Sequence, residues 1–104
     1  MRNRWAVRRG NADQNQSPIV TALEAVGASV TSLAGVGEGC PDLLVGYRRS
    51  TYLLEVKNPD VKPSERKLRE SQSAWLDAWR GGAVAVVHTV DDALVAIGAV
   101  GGKR

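Results

Sequence analysis

Two carboxylates and a lysine stand at the ends of two short apolar segments. Pro41-Asp42 opens the first segment, and Glu55-Val56-Lys57 closes the second. In an extended strand alternate side chains share a face, so Glu55 and Lys57 project to the same side. If the two strands pair as a hairpin, the start of one lies beside the end of the other, which brings Asp42 next to Glu55 and Lys57. Two carboxylates beside a lysine suit the metal-dependent hydrolysis of a phosphodiester bond.

The same charges predict the kind of cation. Two carboxylates this close repel each other and are costly to bury unpaired, so the pair indicates a bound cation or a shared proton. Cys40 and His88 are each the only residue of their type, which excludes a Cys-based zinc cluster. Ligands that are all oxygen favour Mg²⁺ or Mn²⁺.

An ordinary structural interpretation competes with the chemical one. Glu-x-Lys on a strand is often an exposed cross-strand pair, and Pro-Asp before a strand is often a turn. Against this, Leu43, Leu44 and Val45 follow Asp42 directly, and a Leu-Leu pair precedes Glu55. Charges at the ends of buried strands usually have a function.

The spacing of apolar residues predicts the elements that carry these charges. A first helix is expected from Asp13 to Val26, with Asp13, Asn15 or Ser17 as its N-cap. Strands are expected over 28–33, 42–47 and 51–57, and the last two are joined by residues 48–50. The glycine-containing segment 34–41 lacks the Gly-Lys-Ser/Thr ending of a phosphate-binding loop, so we interpret it as a flexible connection.

The second half of the chain alternates helix and strand. One helix carries a stripe that ends before Gly81-Gly82, and its members are Leu68, Gln72, Trp75, Leu76 and Trp79. We interpret the two tryptophans as core or dimer contacts. A fourth strand over 83–88 is apolar enough for burial on both faces, and it ends at His88, a core or edge histidine. Thr89 then caps a short helix that reaches about Gly98. The element order is α-β-β-β-α-β-α.

Length and composition bound the class of protein. With 104 residues, 43% of them apolar and 24% charged, the chain suits one globular domain. We expect a basic arm over 1–12, the domain over 13–98 and a tail over 99–104. The sequence shows no signal-peptide stretch and no apolar run near the roughly 20 residues that span a bilayer. We therefore expect a cytoplasmic protein with no membrane partner.

The charge distribution favours an anionic partner. The net charge is +3, and the basic arm has four arginines and no acid before Asp13. We predict DNA contacts from Arg4, Arg8 and Arg9 of the arm. Arg48 and Arg49 at the hairpin tip are predicted to contribute as well. The alternatives are a solvated terminus and a solvated turn.

The motif and the element order together resemble a known superfamily. Pro41-Asp42 followed by Glu55-x-Lys57 is the pattern of the PD-(D/E)XK nucleases. The stretch from Gly27 to Pro59, with Gln72 and Trp75 downstream, is similar to the standalone VRR-NUC branch of phage and bacteria, which is similar to archaeal Holliday junction resolvases. The resemblance covers roughly residues 13–98 and implies a restriction-endonuclease-like α/β core, a mixed four-stranded sheet flanked by helices.

The resemblance also implies roles for individual residues. Asp42, Glu55 and the backbone carbonyl of Val56 would hold the metal ion. Lys57 would orient or help to deprotonate the attacking water and stabilise charge on the phosphate. Gln72 matches a glutamine that the family places near the metal. A satisfied glutamine at the edge of the core is the alternative for Gln72.

Two positions depart from the family pattern. Many relatives carry a metal-site glutamate on the first helix, where this chain has Gln16. Gln16 is a possible ligand through its amide oxygen but brings no negative charge, and Asp13, one turn earlier, is the alternative. The family's Leu-Thr-Pro-x-Gln sequence here reads Leu-Arg-Glu-Ser-Gln over 68–72, which keeps the glutamine and changes the entrance to the helix.

The leading functional hypothesis is a Mg²⁺-dependent DNA endonuclease, with Mn²⁺ as a substitute ion. The resemblance suggests branched or Holliday junction DNA as a substrate, in phage or bacterial replication, recombination or repair. It also implies a homodimer. A non-catalytic DNA-binding module of the same fold is the first alternative, and Gln16 favours it. A small α/β interaction protein is the second. We interpret Cys40, next to the motif, as structural.

Overall fold

The computed structural model describes residues 16–57 and 70–99. Within them the predicted order α-β-β-β-α-β-α is confirmed. The helices are α1 (Gln16–Ala25), α2 (Glu70–Ala78) and α3 (Val90–Ala96), and the strands are β1 (Ser29–Ser32), β2 (Leu43–Tyr47), β3 (Ser50–Val56) and β4 (Val84–Val87). Three predictions lie outside the described residues: the N-terminal arm, the start of the first helix at Asp13 and the start of the second helix at Leu68.

The four strands form one mixed sheet in the order β1-β2-β3-β4. The β1–β2 and β2–β3 pairs are antiparallel, while β3 and β4 run parallel. The parallel pair is joined by the segment that contains α2, because a parallel connection needs a crossover rather than a tight turn. This is the restriction-endonuclease-like α/β arrangement that the sequence predicts.

One face of the sheet carries the hydrophobic core. Helix α1 contributes Ile19, Val20 and Leu23, and α3 contributes Ala93 and Ile97. Alternate residues of the strands meet these helices, namely Val30, Leu43, Val45, Tyr47, Leu54, Val56 and Val87. Their period of two explains the choice of residues, since every second side chain of a strand points to the same face.

The opposite face of the sheet is only partly covered. It carries Leu44, Leu53, Glu55 and Val86, the residues that alternate with the core positions. Leu44 is 36% exposed and Val86 is 40% exposed. The prediction that strand 83–88 is buried on both faces is therefore wrong. Val86 is exposed because β4 is an edge strand in the described part of the sheet, so it has a neighbouring strand on one side only.

Trp75 of α2 and Trp79, which directly follows the helix, lie outside the core. Trp75 and Trp79 stack on each other, with ring centroids 4.8 Å apart and planes 18° apart. The indole N–H of Trp79 donates to the Gly82 carbonyl at 2.8 Å, and Trp79 remains 40% exposed. Of the two interpretations from sequence, core packing is wrong for Trp79, and a dimer contact stays a prediction.

No helix in the described ranges is long and apolar enough to cross a membrane.

The β2–β3 hairpin has a two-residue turn. Tyr47 pairs with Ser50, so Ser50 belongs to β3 and not to the connection that the sequence predicted. Arg48 and Arg49 have φ of 49° and 70°, the positive values that a type I′ turn requires. Arginine gives no local signal for this conformation, so the sequence predicts a turn one residue longer than the observed one.

Replacing Arg49 with glycine should stabilise the protein. Glycine adopts positive φ without the cost that a side chain brings, although it loses more entropy on folding. We expect the free energy of unfolding in urea to rise by about 0.5 kcal/mol for Arg49→Gly. Arg49→Lys is the matched control, because it keeps both the charge and the strained φ. A Gly variant no more stable than the Lys variant would contradict a type I′ turn.

Candidate active site

Asp42 and Glu55 lie opposite each other at the open end of the β2–β3 hairpin. Leu43 pairs with Leu54, and extending the antiparallel register by one residue sets Asp42 against Glu55. Both residues fall on the partly covered face of the sheet. Glu55 is 4% exposed, and Asp42 is half-buried. The predicted pairing of the two carboxylates is thus what the hairpin produces.

Asp42 also closes the ladder between the two strands. The backbone N–H of Val56 donates to Oδ2 of Asp42 at 2.8 Å. In the same register Pro41 lies opposite Val56, and proline has no N–H with which to continue the ladder. The Val56 carbonyl therefore cannot receive the strand hydrogen bond that this position would normally supply. This is the backbone carbonyl expected to face a metal ion.

Glu55, Lys57 and Gln72 form a closed ring of polar contacts. The Gln72 amide N–H donates to Oε2 of Glu55 at 2.6 Å. The Lys57 ammonium donates to Oε1 of Gln72 at 3.0 Å and lies 3.2 Å from Oε2 of Glu55. Gln72 is 5% exposed, and the Lys57 side chain is 12% exposed. Because the amide uses both its donor and its acceptor here, it fixes the separation of the carboxylate and the ammonium.

The contacts of Gln72 place its side chain beside the charged pair. It reaches from α2 to the end of β3 and bonds both Glu55 and Lys57. Gln72 is therefore part of the polar cluster, and its role beside a metal ion stays a prediction. Short charge-assisted hydrogen bonds of this kind are stronger than neutral ones.

Burial and repulsion act on the Glu55 carboxyl group. Desolvation, foremost, and then the charge of Asp42 raise the pKa of Glu55, while Lys57 and Gln72 oppose this shift only in part. Burial also raises the pKa of the Cys40 thiol, with Asp42 and Glu55 adding to the effect. Cys40 is thus close enough for the charges of Asp42 and Glu55 to act on its thiol. A raised pKa disfavours the thiolate, which agrees with a structural role.

Gln16 is a buried polar residue at the start of α1. It is 5% exposed, and no hydrogen bond to its side-chain amide is formed within the described residues. A buried amide without such a bond is costly. The structure shows no bond between Gln16 and the other site residues, so its place in the site stays a prediction. Its alternative, Asp13, lies outside the described residues.

The described site offers a set of oxygen ligands with two negative charges. No group of three or more His, Cys, Asp or Glu side chains that could hold a metal ion occurs within residues 16–57 and 70–99. Asp42, Glu55 and the Val56 carbonyl are hard oxygen donors, the kind that Mg²⁺ accepts along with several waters. The residues present fit a weakly held Mg²⁺ or Mn²⁺ better than a tightly caged ion.

The other predicted contact residues lie away from this cluster. Arg48 and Arg49 are exposed at the opposite end of the hairpin, roughly 20 Å away at 3.3 Å per residue. Arg4, Arg8 and Arg9 lie outside the described residues. His88 directly follows the edge strand β4, and its backbone N–H donates to Asp92 at 2.8 Å. It takes part in the turn before α3.

Comparison with solved structures supports the fold. No family model matches the chain, and no curated protein matches it. A solved structure described as a VRR_NUC domain is similar to this chain, with a TM-score of 0.54 and 26% identity. The match covers 80% of this chain and 96% of the other.

The predicted resemblance to the VRR-NUC branch is confirmed by this match. The similarity supports a nuclease-like fold. The motif residues Asp42, Glu55 and Lys57 lie at one end of the sheet, where hairpin pairing predicts them.

The raised pKa of Glu55 should make folding stability depend on pH. Because the folded state binds the Glu55 proton more tightly than the unfolded chain, this contribution is complete below the ordinary value of 4.5. It is lost as the pH rises through the raised pKa. Glu55→Gln cannot ionise, so we expect the variant to gain stability relative to the wild type as the pH rises.

Urea unfolding in EDTA between about pH 4 and pH 7.5 measures this difference. Glu24→Gln, at an exposed position of α1, controls for the loss of a carboxylate elsewhere. A difference between the wild type and Glu55→Gln that is constant over this range would contradict a raised pKa. A difference that shifts in favour of the wild type would contradict it more strongly.

Proposed function

We propose that this protein is a metal-dependent DNA endonuclease whose active site is Asp42, Glu55 and Lys57. The observation that carries the proposal is the juxtaposition of the two carboxylates, with the lysine 3.2 Å from Glu55. Two adjacent carboxylates, of which Glu55 is buried with a raised pKa, lower stability unless a cation neutralises them. The similarity to a VRR-NUC domain supports hydrolysis as the use of that cation.

A divalent cation would be held by Asp42, Glu55 and the Val56 carbonyl. When bound, it would supply Lewis-acid polarisation of the scissile phosphate and lower the pKa of a coordinated water. Proline at position 41 supports this ligand set, because it leaves the Val56 carbonyl without a ladder donor. Gln16 would add a neutral oxygen, which supports a lower affinity than three carboxylates would give.

Lys57 would act on the reacting phosphate directly. Its ammonium is a mobile point charge on a mostly buried stem, suited to stabilising negative charge on phosphate oxygens or to orienting the attacking water. Gln72 would hold that ammonium beside Glu55 in the free protein. Since the amide is neutral, it fixes the direction of the lysine without removing its charge. Such preorganisation lowers the reorganisation needed in the transition state.

DNA is the substrate class that charge and location support. The net charge of +3 favours a polyanion, and the site residues lie on the incompletely covered face of the sheet. We propose branched junctions as a preferred DNA structure and a homodimer as the acting species. A symmetric dimer would present two sites to two strands.

A non-catalytic DNA-binding module remains the second candidate. Gln16 is the observation that favours it, because the described site has two carboxylates where many relatives have three. Such a module would bind DNA in a salt-dependent manner without cutting it. The cleavage assay below separates the two candidates.

Cleavage should require a metal ion, Glu55 and Lys57. We expect the wild type to nick or cut supercoiled plasmid and a synthetic four-way junction with Mg²⁺ or Mn²⁺, and not in EDTA. Lys57→Met should lower the rate by about 100-fold or more, since it removes charge stabilisation of the transition state. Glu55→Gln should have an effect at least as large.

The control for this assay lies outside the polar cluster. Glu24→Gln removes an exposed carboxylate of α1 and should keep the wild-type rate within about threefold. Salt-sensitive DNA binding with no cleavage by the wild type would support the module instead. Cleavage by Lys57→Met at the wild-type rate would place the chemistry elsewhere.

A third carboxylate should strengthen metal binding. We expect Gln16→Glu to bind Mn²⁺ about tenfold more tightly than the wild type in calorimetry, because ligand charge sets the affinity of such sites. Ser17→Glu adds the same charge on a neighbouring side of α1 and should change the affinity little. Equal gains in the two variants would indicate a general charge effect and would remove Gln16 from the site.

A further inference from the structure

The loop between β1 and β2 contains three consecutive residues in the left-handed region. Gly37, Glu38 and Gly39 have φ of 72°, 59° and 85°. The Cys40 N–H donates to the Gly37 carbonyl at 3.1 Å, which closes a turn over these residues. Such a run is rare for residues with side chains. It brings the backbone of the loop to one defined place.

That place is the first turn of α2. A Cβ added to Gly39 would lie 2.6 Å from the Ser71 carbonyl carbon and 3.0 Å from the Gln72 nitrogen, and would overlap the Ser71 carbonyl oxygen. All three atoms belong to the backbone, so no side-chain rotation relieves the contact. Gly37, in contrast, has open space around an added Cβ. Gly39 therefore packs directly on the peptide unit that precedes the Gln72 side chain.

We propose that Gly39 is a positioning residue of the active site, which seats α2 so that the Gln72 amide spans Glu55 and Lys57. The proposal deepens the proposed function and rests on it for its catalytic consequence. Its structural part does not depend on cleavage. The short contacts of Gln72, 2.6 Å to Glu55 and 3.0 Å from Lys57, are what this seating has to maintain.

The consequence of filling the contact follows from its geometry. A methyl group at position 39 must push the start of α2 away by about 1 Å to reach ordinary contact distances. The Gln72 contacts would lengthen by a similar amount, and hydrogen bonds weaken steeply beyond their normal range. Lys57 would then lose the acceptor that directs it.

The same glycine also ties Gln72 to the metal ligands. Gly39 precedes Asp42 by three residues, and Asp42 is anchored to β3 through the Val56 N–H. The loop thus joins the start of β2 and the start of α2 by one close backbone contact. The loop between β1 and β2 therefore sets the position of Asp42 and, through Gln72, that of Lys57.

Gly37→Ala is a close internal control for Gly39→Ala. Both substitutions place alanine at a positive φ, but only the one at position 39 meets the α2 backbone. We expect Gly39→Ala to lower kcat by about 10-fold or more, with KM for DNA nearly unchanged. Gly37→Ala should keep kcat within about threefold at a similar loss of stability.

A double variant separates positioning from general destabilisation. If Gly39 acts through Gln72, adding Gly39→Ala to Gln72→Ala should lower kcat little further. Effects that multiply would overturn the proposal, since they would mean that Gly39 acts independently of the amide.

A spectroscopic measurement tests the seating without cleavage. The side-chain amide resonances of Gln72, assigned by their loss in Gln72→Ala, should shift in Gly39→Ala and stay in place in Gly37→Ala. Unchanged resonances in Gly39→Ala would overturn the proposal even in an active enzyme. Shifted resonances in a protein with no nuclease activity would uphold the seating and count against the proposed function instead.

If either alanine variant fails to fold, Gly39→Asn and Gly37→Asn replace the pair. Asparagine tolerates positive φ better than alanine while it still carries a Cβ. The same spectral contrast is expected, and its absence would overturn the proposal.

Discussion

The structure depends on holding two carboxylates side by side at a site where desolvation and mutual repulsion disfavour their charged forms. Asp42 and Glu55 lie opposite each other at the end of a hairpin, and Glu55 is almost fully buried. Burial and mutual repulsion both raise the pKa of Glu55. In the free protein Lys57 and Gln72 offset part of this cost. We propose that a divalent cation offsets the rest.

The neighbouring elements serve this constraint in different ways. One face of β2 and β3 fills the core with Leu43 and Leu54, which fixes the register and leaves the other face for the charges. A one-residue slip would exchange the two faces, so the core protects the geometry of the site. Pro41 ends the ladder next to Val56, the residue whose carbonyl is proposed to hold the cation. Helix α2 lies against the other face, and the neutral amide of its Gln72 bonds both the Lys57 ammonium and the Glu55 carboxylate.

Much of this was predictable from the sequence because it follows from local periodicity. The element order, the shared face of Glu55 and Lys57, and the approach of Asp42 all follow from strand alternation and hairpin pairing. The exposed face of β4 could not be foreseen, since an apolar strand gives no signal of its position at a sheet edge. Nor could the contact between Gly39 and α2, which joins segments distant in the chain. Glycine spacing indicated a flexible loop, whereas the structure uses its positive φ for a close approach.

The central claim is that Asp42, Glu55 and the Val56 carbonyl hold the catalytic cation. Anomalous diffraction at the manganese edge from a crystal soaked in Mn²⁺ tests it most directly. The account predicts a peak about 2.2 Å from an oxygen of each of these three residues, in wild-type crystals. The peak should be missing from Glu55→Gln crystals soaked in the same way. A peak elsewhere, or one that persists in Glu55→Gln at full height, would contradict the account.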